Sequence, residues 1–406
     1  MNNLILFDSD VRDQLLPLTY TRPVCDLRVG ILTIREKWSM WMDGVVSYIT
    51  QDYLSEKYPI QIKDRNWVIN GAVIPNELII LRIKELKMNE ALMHQGELIA
   101  ARLPESQFER LMNGEELQDL IGYEVDSRHL VMIRRPYDIF KFNKYAIEMD
   151  FRFLTRGRSS MPISGTNRLI EADNIFIEEG AKVEYATLNA TKGPIYIGKY
   201  SEVMEGANLR GPIAILDHGV VKMGAKIYGA TTIGPHCKVG GEVNNVVFQA
   251  YSNKAHDGFL GNSVIGEWCN IGADTNGSNL KNNYKEVKLW SYPDGRFMPT
   301  GEQFCGLIMG DHSKCGINTM FNTGTVVGVS ANIFGDGFPR NFIPSFSWGG
   351  KSGFKTYRLD DAMETMDRVM ARRDKYLNEN DQNIYKNIFD QTAQYRTWDK
   401  PKKEEA

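Results

Sequence analysis

The chain has 406 residues, 42% of them apolar, and a formal net charge of −3 at neutral pH. That length suits two domains, and so small a charge gives no reason to expect a nucleic-acid partner or a membrane surface. No apolar stretch approaches the ~20 residues that span a bilayer, and the five scattered cysteines read as buried, reduced thiols of a cytoplasmic protein.

The chain opens on a short apolar strand, 3–7, without the basic region or small-residue cleavage site of a signal peptide. Helices are predicted over 27–42, 77–87 and 108–120, and strands over 67–74 and 97–103. Alternating strands and helices predict an α/β domain over 1–155 with a mainly parallel sheet. The segment from Arg134 to Asn143 leads into a bridging helix over 144–154. The polar, glycine-containing TRGRSS then opens a linker over 156–170.

Beyond the linker, eight apolar residues stand six apart: Ile197, Val203, Leu209, Ile215, Val221, Ile227, Ile233 and Val239. The residue four after each is usually small, and Ile213 is an exception. The pattern resumes at Ile265 and Ile271, and again at Met309, Cys315, Phe321, Val327 and Ile333. A six-residue period is too long for a helix face and predicts a parallel β-helix, placed at 171–357. Its period breaks near 241–262 and 277–305, read as two insertions that loop outward. Residues 358–378 carry apolar positions at helical spacing, predicting a helix for packing or a trimer contact. The end of the C-terminal segment 358–406, DKPKKEEA, is expected to be disordered.

His256 is the best candidate for chemistry. A histidine in such a loop can be a general base near neutral pH, or simply a loop residue bonded to nearby backbone. His94, His129, His218, His236 and His312 have no comparable context, and His218 and His236 read as β-helix surface residues. Asn270 can fill a corner of the coil, because asparagine tolerates unusual backbone angles.

The stretch from Ser252 to Asn279 resembles the acetyltransferase domain of the bacterial bifunctional N-acetylglucosamine-1-phosphate uridyltransferase/glucosamine-1-phosphate acetyltransferase family. The residues that carry this are Lys254-Ala255-His256, Phe259-Leu260-Gly261 and Asn270-Ile271-Gly272-Ala273. The resemblance implies a left-handed β-helix, His256 as the catalytic base and acetyl-CoA as co-substrate. It implies acetyl-CoA or sugar contacts at Glu242, Asn244, Lys254, Phe259, Asn270, Ala273, Asn279 and Lys285. Phe259 stands where the family has a tyrosine, and Asn244 falls near the place of a lysine. The resemblance also implies a homotrimer with its site between subunits; the six-residue period does not reveal oligomeric state.

The opening segment resembles the sugar nucleotidyltransferase domain of a variant of the same family. Asp8-Ser9-Asp10-Val11-Arg12 replaces the glycine-rich phosphate loop, while Leu16-Pro17-Leu18-Thr19 and Arg22-Pro23 keep the pattern. Arg12, Thr19 and Arg22 become nucleotide contacts on this resemblance, with UTP as substrate. The alternative is that the arginines pair with Asp8, Asp10 or Asp26. Mg²⁺ is implied, but Asn70-Gly71 follows the strand where the family has an aspartate. Asp8, Asp10, Asp138 and Asn143 are possible replacements, and the spacing selects none of them. Two further readings stay open: a lone sugar-1-phosphate nucleotidyltransferase whose β-helix only oligomerises, and a non-catalytic trimeric scaffold.

Overall fold

The computed structural model describes residues 2–112, 117 and 119–399. The chain divides into two compact units. One comprises residues 1–15, 21–28 and 32–135, the other 16–20, 29–31 and 136–406.

The first unit is built on a six-stranded sheet. Asn2–Phe7 lies between Gly44–Ile49 and Arg65–Asn70, parallel to both. Glu97–Pro104 joins antiparallel to Arg65–Asn70, Glu90–His94 pairs antiparallel to Glu97–Pro104, and Ile121–Glu124 closes the sheet in parallel. The sheet is thus mainly parallel, with one strand reversed. The helix predicted over 27–42 begins only at Ile34, because Thr33 caps it through a reciprocal bond pair with Glu36. The strand predicted over 67–74 stops at Asn70 and restarts as Val73–Ile74, which pairs with Val131–Met132. The helix predicted over 108–120 is Glu105–Met112; 113–116 and 118 lie outside the described residues.

The second unit is a parallel β-helix. Ile195 pairs with Ile213, and Ile213 with Thr231, each eighteen residues on, so three hexapeptides make one coil. Every apolar residue of the six-residue runs points inward and is buried, from Ile197 to Val239 and from Met309 to Ile333. Each such burial is worth about 1.5–3 kcal/mol. The coil is already paired at Arg168–Ile170, which lies beside Thr187–Asn189.

The segment 241–262 is no insertion. Lys226 pairs with Glu242, Lys238 with Asn253, and Glu242 with Phe259, offsets of sixteen, fifteen and seventeen residues. The period is lost there because corners are clipped, and the chain stays in the coil as strands Glu242–Phe248, Asn253–Lys254 and Phe259–Ile265. The segment 277–305 does leave the coil. Asn270 pairs with Lys314, and between them Lys288–Ser291 and Arg296–Pro299 form an antiparallel hairpin.

One corner carries Tyr200, His218, His236, Tyr251, Trp268 and His312, all left-handed with φ of 54–59°. Each such residue costs about 1–2 kcal/mol. The rings stack into a ladder with centroids 4.2–6.1 Å apart, which offsets part of that cost.

The bridging helix is longer than predicted, Pro136–Thr155. Its Ile147, Phe151 and Leu154 cover the outward side chains Phe176, Tyr196, Ala214 and Leu216. The C-terminal helix is two helices, Leu359–Ala371 and Glu379–Gln391, and residues 400–406 lie outside the described residues. All five cysteines are buried and unbridged. Among the described residues no helix is long and apolar enough to cross a membrane.

Candidate functional site

His256 sits in the four-residue corner between Asn253–Lys254 and Phe259–Ile265. The neighbouring coils hold the backbone of this corner. Asp257 C=O accepts from Asp274 N–H at 3.0 Å, and Gly258 C=O from Glu242 N–H at 3.2 Å. The imidazole itself is exposed and has no hydrogen-bond partner among the described residues. It is therefore free to meet a ligand.

Two depressions meet at that imidazole. A cleft of about 420 Å³ runs along the face that carries Lys238, Asn253 and Asn270, and Ala273 lies at its His256 end. The second, about 520 Å³, rounds the corner past Lys222, Met223, Asp257 and Asp274. The far wall of the cleft is Val369, Arg372 and Arg373, at the end of the helix Leu359–Ala371. Among the described residues no carboxylate lines this cleft. Burial and the nearby Arg373, Lys222 and Arg372 push the Lys238 ammonium below its ordinary pKa. Burial, His218, Arg373 and Lys375 do the same to His236. Arg372 and Arg373 add positive charge beside Lys238, which gives the cleft the electrostatics of an anion site. Sequence reasoning missed the arginines; the only signal was the basic run Arg372-Arg373 at a helix C-terminus, far from His256 in the chain.

The other site candidates fall in four places. Asn270 and Ala273 line the cleft with His256. Glu242, Asn244, Phe259 and Asn279 gather on the adjoining face. Glu242 lies beside Phe259 and Asn244 beside Gly261, and Asn279 Nδ2 donates to Asn262 Oδ1 at 2.8 Å. Glu242 accepts from the Tyr228 hydroxyl at 2.6 Å, so its orientation is fixed. A Cβ at Gly261 would lie 2.5 Å from Asn279 Nδ2 and 2.7 Å from the Phe259 ring, so the glycine allows that cluster to form. Lys285 is exposed on the projecting segment, and its backbone N–H bonds Asn283. Lys254 differs from expectation: it occupies an inward position, 1% exposed, and its ammonium bonds two backbone carbonyls. It does not line the cleft.

In the first unit Arg12 is buried, pairs with Asp13 at 2.6 Å and donates to the Tyr53 hydroxyl at 2.5 Å. Arg22 is buried and bonds Thr21. Asp8 closes the loop that replaces the glycine motif, accepting from Val24 N–H at 2.8 Å and Thr50 Oγ1 at 2.6 Å. Burial pushes its carboxyl up to about 6. Thr19 is buried in the segment 16–20 that belongs to the second unit.

The residues present do not suit Mg²⁺, which takes oxygen ligands and usually one or two carboxylates. Asn70 donates to Glu97 at 3.0 Å, and Glu97 also pairs with Arg134 at 2.8 Å. Asn143, in the second unit, is spent on Gly30 N–H, Ala230 C=O and the Thr232 hydroxyl. Among the described residues no three His, Cys, Asp or Glu side chains form a metal cluster. Neither Asp10 nor Asp138 changes that result.

A family model described as sugar nucleotidyl transferase matches residues 4–159. The chain is 29% identical over 216 residues to a bifunctional sugar-1-phosphate nucleotidylyltransferase/acetyltransferase of Sulfurisphaera tokodaii, covering 52% of this chain and 45% of that one. It is 26% identical over 302 residues to the bifunctional protein GlmU of Methanocaldococcus jannaschii, covering 68% and 65%. The chain thus spans about half to two thirds of the length of these relatives. Among solved structures, the polySia-specific acetyltransferase NeuO is similar at TM-score 0.27 and 13% identity, covering 52% of this chain and 94% of its own. The UDP-N-acetylglucosamine acyltransferase LpxA of Bacteroides fragilis is similar at TM-score 0.26 and 14% identity, covering 60% and 93%.

Proposed function

We propose that the chain is a bifunctional transferase of amino-sugar nucleotide synthesis. In this reading the β-helix moves an acetyl group from acetyl-CoA to the amine of a hexosamine phosphate such as glucosamine-1-phosphate, with His256 as base. The cleft carries the reading: the exposed His256 imidazole stands at the end of a channel lined by Lys238, Arg372 and Arg373 and, among the described residues, by no carboxylate. That combination suits a polyphosphate co-substrate whose reactive end lies at the histidine.

An ammonium cannot attack a thioester, because its lone pair is held by a proton. His256 takes a proton from the amine as the nitrogen bonds the acetyl carbon. The C–S bond then breaks, and the proton passes to the departing thiolate. Backbone N–H groups at the corner can stabilise the oxyanion. Asn270 and Ala273 contact acetyl-CoA, and Glu242, Asn244, Phe259 and Asn279 hold the sugar. Lys285 adds a cation for the sugar phosphate. The first unit transfers a uridylyl group from UTP, with Arg12 and Arg22 as nucleotide contacts. The family-model match and the names of the two bifunctional relatives support this half.

The protein acts in the cytoplasm as a homotrimer. Met223 and Ile317, each 69% exposed beside the two depressions, favour a second copy of the chain as their cover.

The test is to supply glucosamine-1-phosphate, acetyl-CoA and UTP together and follow products by mass spectrometry. N-acetylglucosamine-1-phosphate followed by UDP-N-acetylglucosamine supports both halves. A nucleotide sugar without acetylation supports the lone nucleotidyltransferase, and neither product from folded protein supports the scaffold.

A further inference from the structure

Lys254 breaks the rule that builds the β-helix. Val239 holds the same inward position one coil before and Ile271 one coil after, and both are buried. An ammonium buried in such a core costs several kcal/mol unless it is well bonded. Here it is bonded, and the partners are specific. Nζ donates to the carbonyl of His256 at 2.7 Å and to that of Gly240, one coil below, at 3.1 Å. Burial pushes the Lys254 pKa down to about 8, while Asp257, Cys315 and Asp274 act in the opposite direction. A neutral amine still carries two N–H groups, so both bonds survive either protonation state.

We infer that Lys254 is a positioning residue for His256, a strut that rises from the core and ties the His256 carbonyl to the Gly240 coil. The inference rests on the reading of His256 as the base, and it gives Lys254 no contact with substrate. His256 is exposed, and its imidazole has no hydrogen-bond partner among the described residues. Its position at the end of the cleft is therefore set by its backbone alone. The corner is glycine-bounded, with Gly258 at φ +109°, and the lysine supplies the side-chain bond that restrains it. An apolar residue at 254 would serve the core equally well, as Val239 and Ile271 do in the adjoining coils.

Two substitutions separate positioning from packing. Lys254→Met keeps the length of the side chain and removes its donors. Lys254→Ile installs the residue of the next coil, a safeguard should the methionine variant fail to fold. Either variant should keep a melting temperature near that of the wild type. The kcat for coenzyme A release should fall by about 10–100-fold, the scale of a misplaced catalytic group. KM for acetyl-CoA should stay unchanged, because no residue lining the cleft is altered. Hydrogen–deuterium exchange of 255–258 should quicken, and the ¹⁵N-histidine signals assigned to His256 by loss in His256→Ala should shift. Unchanged kcat and unchanged exchange in a folded variant would overturn the inference. So would a loss of stability with kcat intact, which is the signature of packing. If the wild-type protein releases no coenzyme A, the acetyltransferase reading fails. The exchange and NMR arms still decide whether Lys254 holds the corner.

Discussion

Gly241 and Gly224 provide a matched pair of perturbations. Both are left-handed, at φ +69° and +68°. A Cβ at Gly224 meets nothing within 4 Å. A Cβ at Gly241 would lie 2.8 Å from the Cα of Asp257, 2.8 Å from the carbonyl of Gly258 and 2.9 Å from that of His256. Alanine at either position costs about 1–2 kcal/mol for the backbone conformation alone. At Gly241 the corner must also retreat, since ordinary contact begins at 3.4 Å. Overpacking of that kind adds about 1–3 kcal/mol. Gly224→Ala should therefore lose about 1–2 kcal/mol and Gly241→Ala about 2–5 kcal/mol. A retreat of roughly half an ångström at His256 should lower kcat about tenfold, while Gly224→Ala keeps wild-type turnover. Urea unfolding and a thiol-release assay measure both quantities. Equal stability losses and equal turnover in the two variants would refute the placement of the His256 corner against Gly241.

Other outcomes follow from the same geometry. His256→Ala should lower acetyl transfer by about 10²–10⁴-fold and leave the melting temperature unchanged, because the imidazole is exposed and unpartnered; a large shift in melting temperature would count against this. Arg372→Ala and Arg373→Ala should each raise KM for acetyl-CoA up to about fivefold, the worth of an exposed ion pair, with a smaller effect at high salt. Salt-independent kinetics would contradict an electrostatic role. Asp8 has a carboxyl pKa raised to about 6 by burial, so folding favours its protonated form. Its contribution is present below the unfolded pKa near 4 and is lost as pH rises through about 6. Asp8→Asn should gain on the wild type by about 1–3 kcal/mol between pH 4 and 7. Urea titrations at the two ends check this, and a gap that does not widen with pH would contradict it.

The β-helix was legible because inward side chains recur every six residues and each must be apolar. Ile197 through Val239 and Met309 through Ile333 all obey this and are all buried. The segment 241–262 was misread for a physical reason. A lost period can mean extra residues or missing ones, and only the pairing of Glu242 with Phe259 shows that the coil was shortened. A motif also fixes neighbourhood without fixing direction. Lys254 stands two residues from His256 in the sequence, yet it points into the core. Arg372 and Arg373 reach the same cleft from more than a hundred residues away, and no local pattern connects them to His256. In the first unit Glu90–His94 has a composition that suits a helix, and pairing with Glu97–Pro104 makes it a strand.

The most direct measurement is coenzyme A release from acetyl-CoA in the presence of glucosamine-1-phosphate, run beside His256→Ala. The account predicts release that requires the sugar and falls by at least about a hundredfold in the variant. Release that survives the loss of His256, or none from folded wild-type protein, would contradict it.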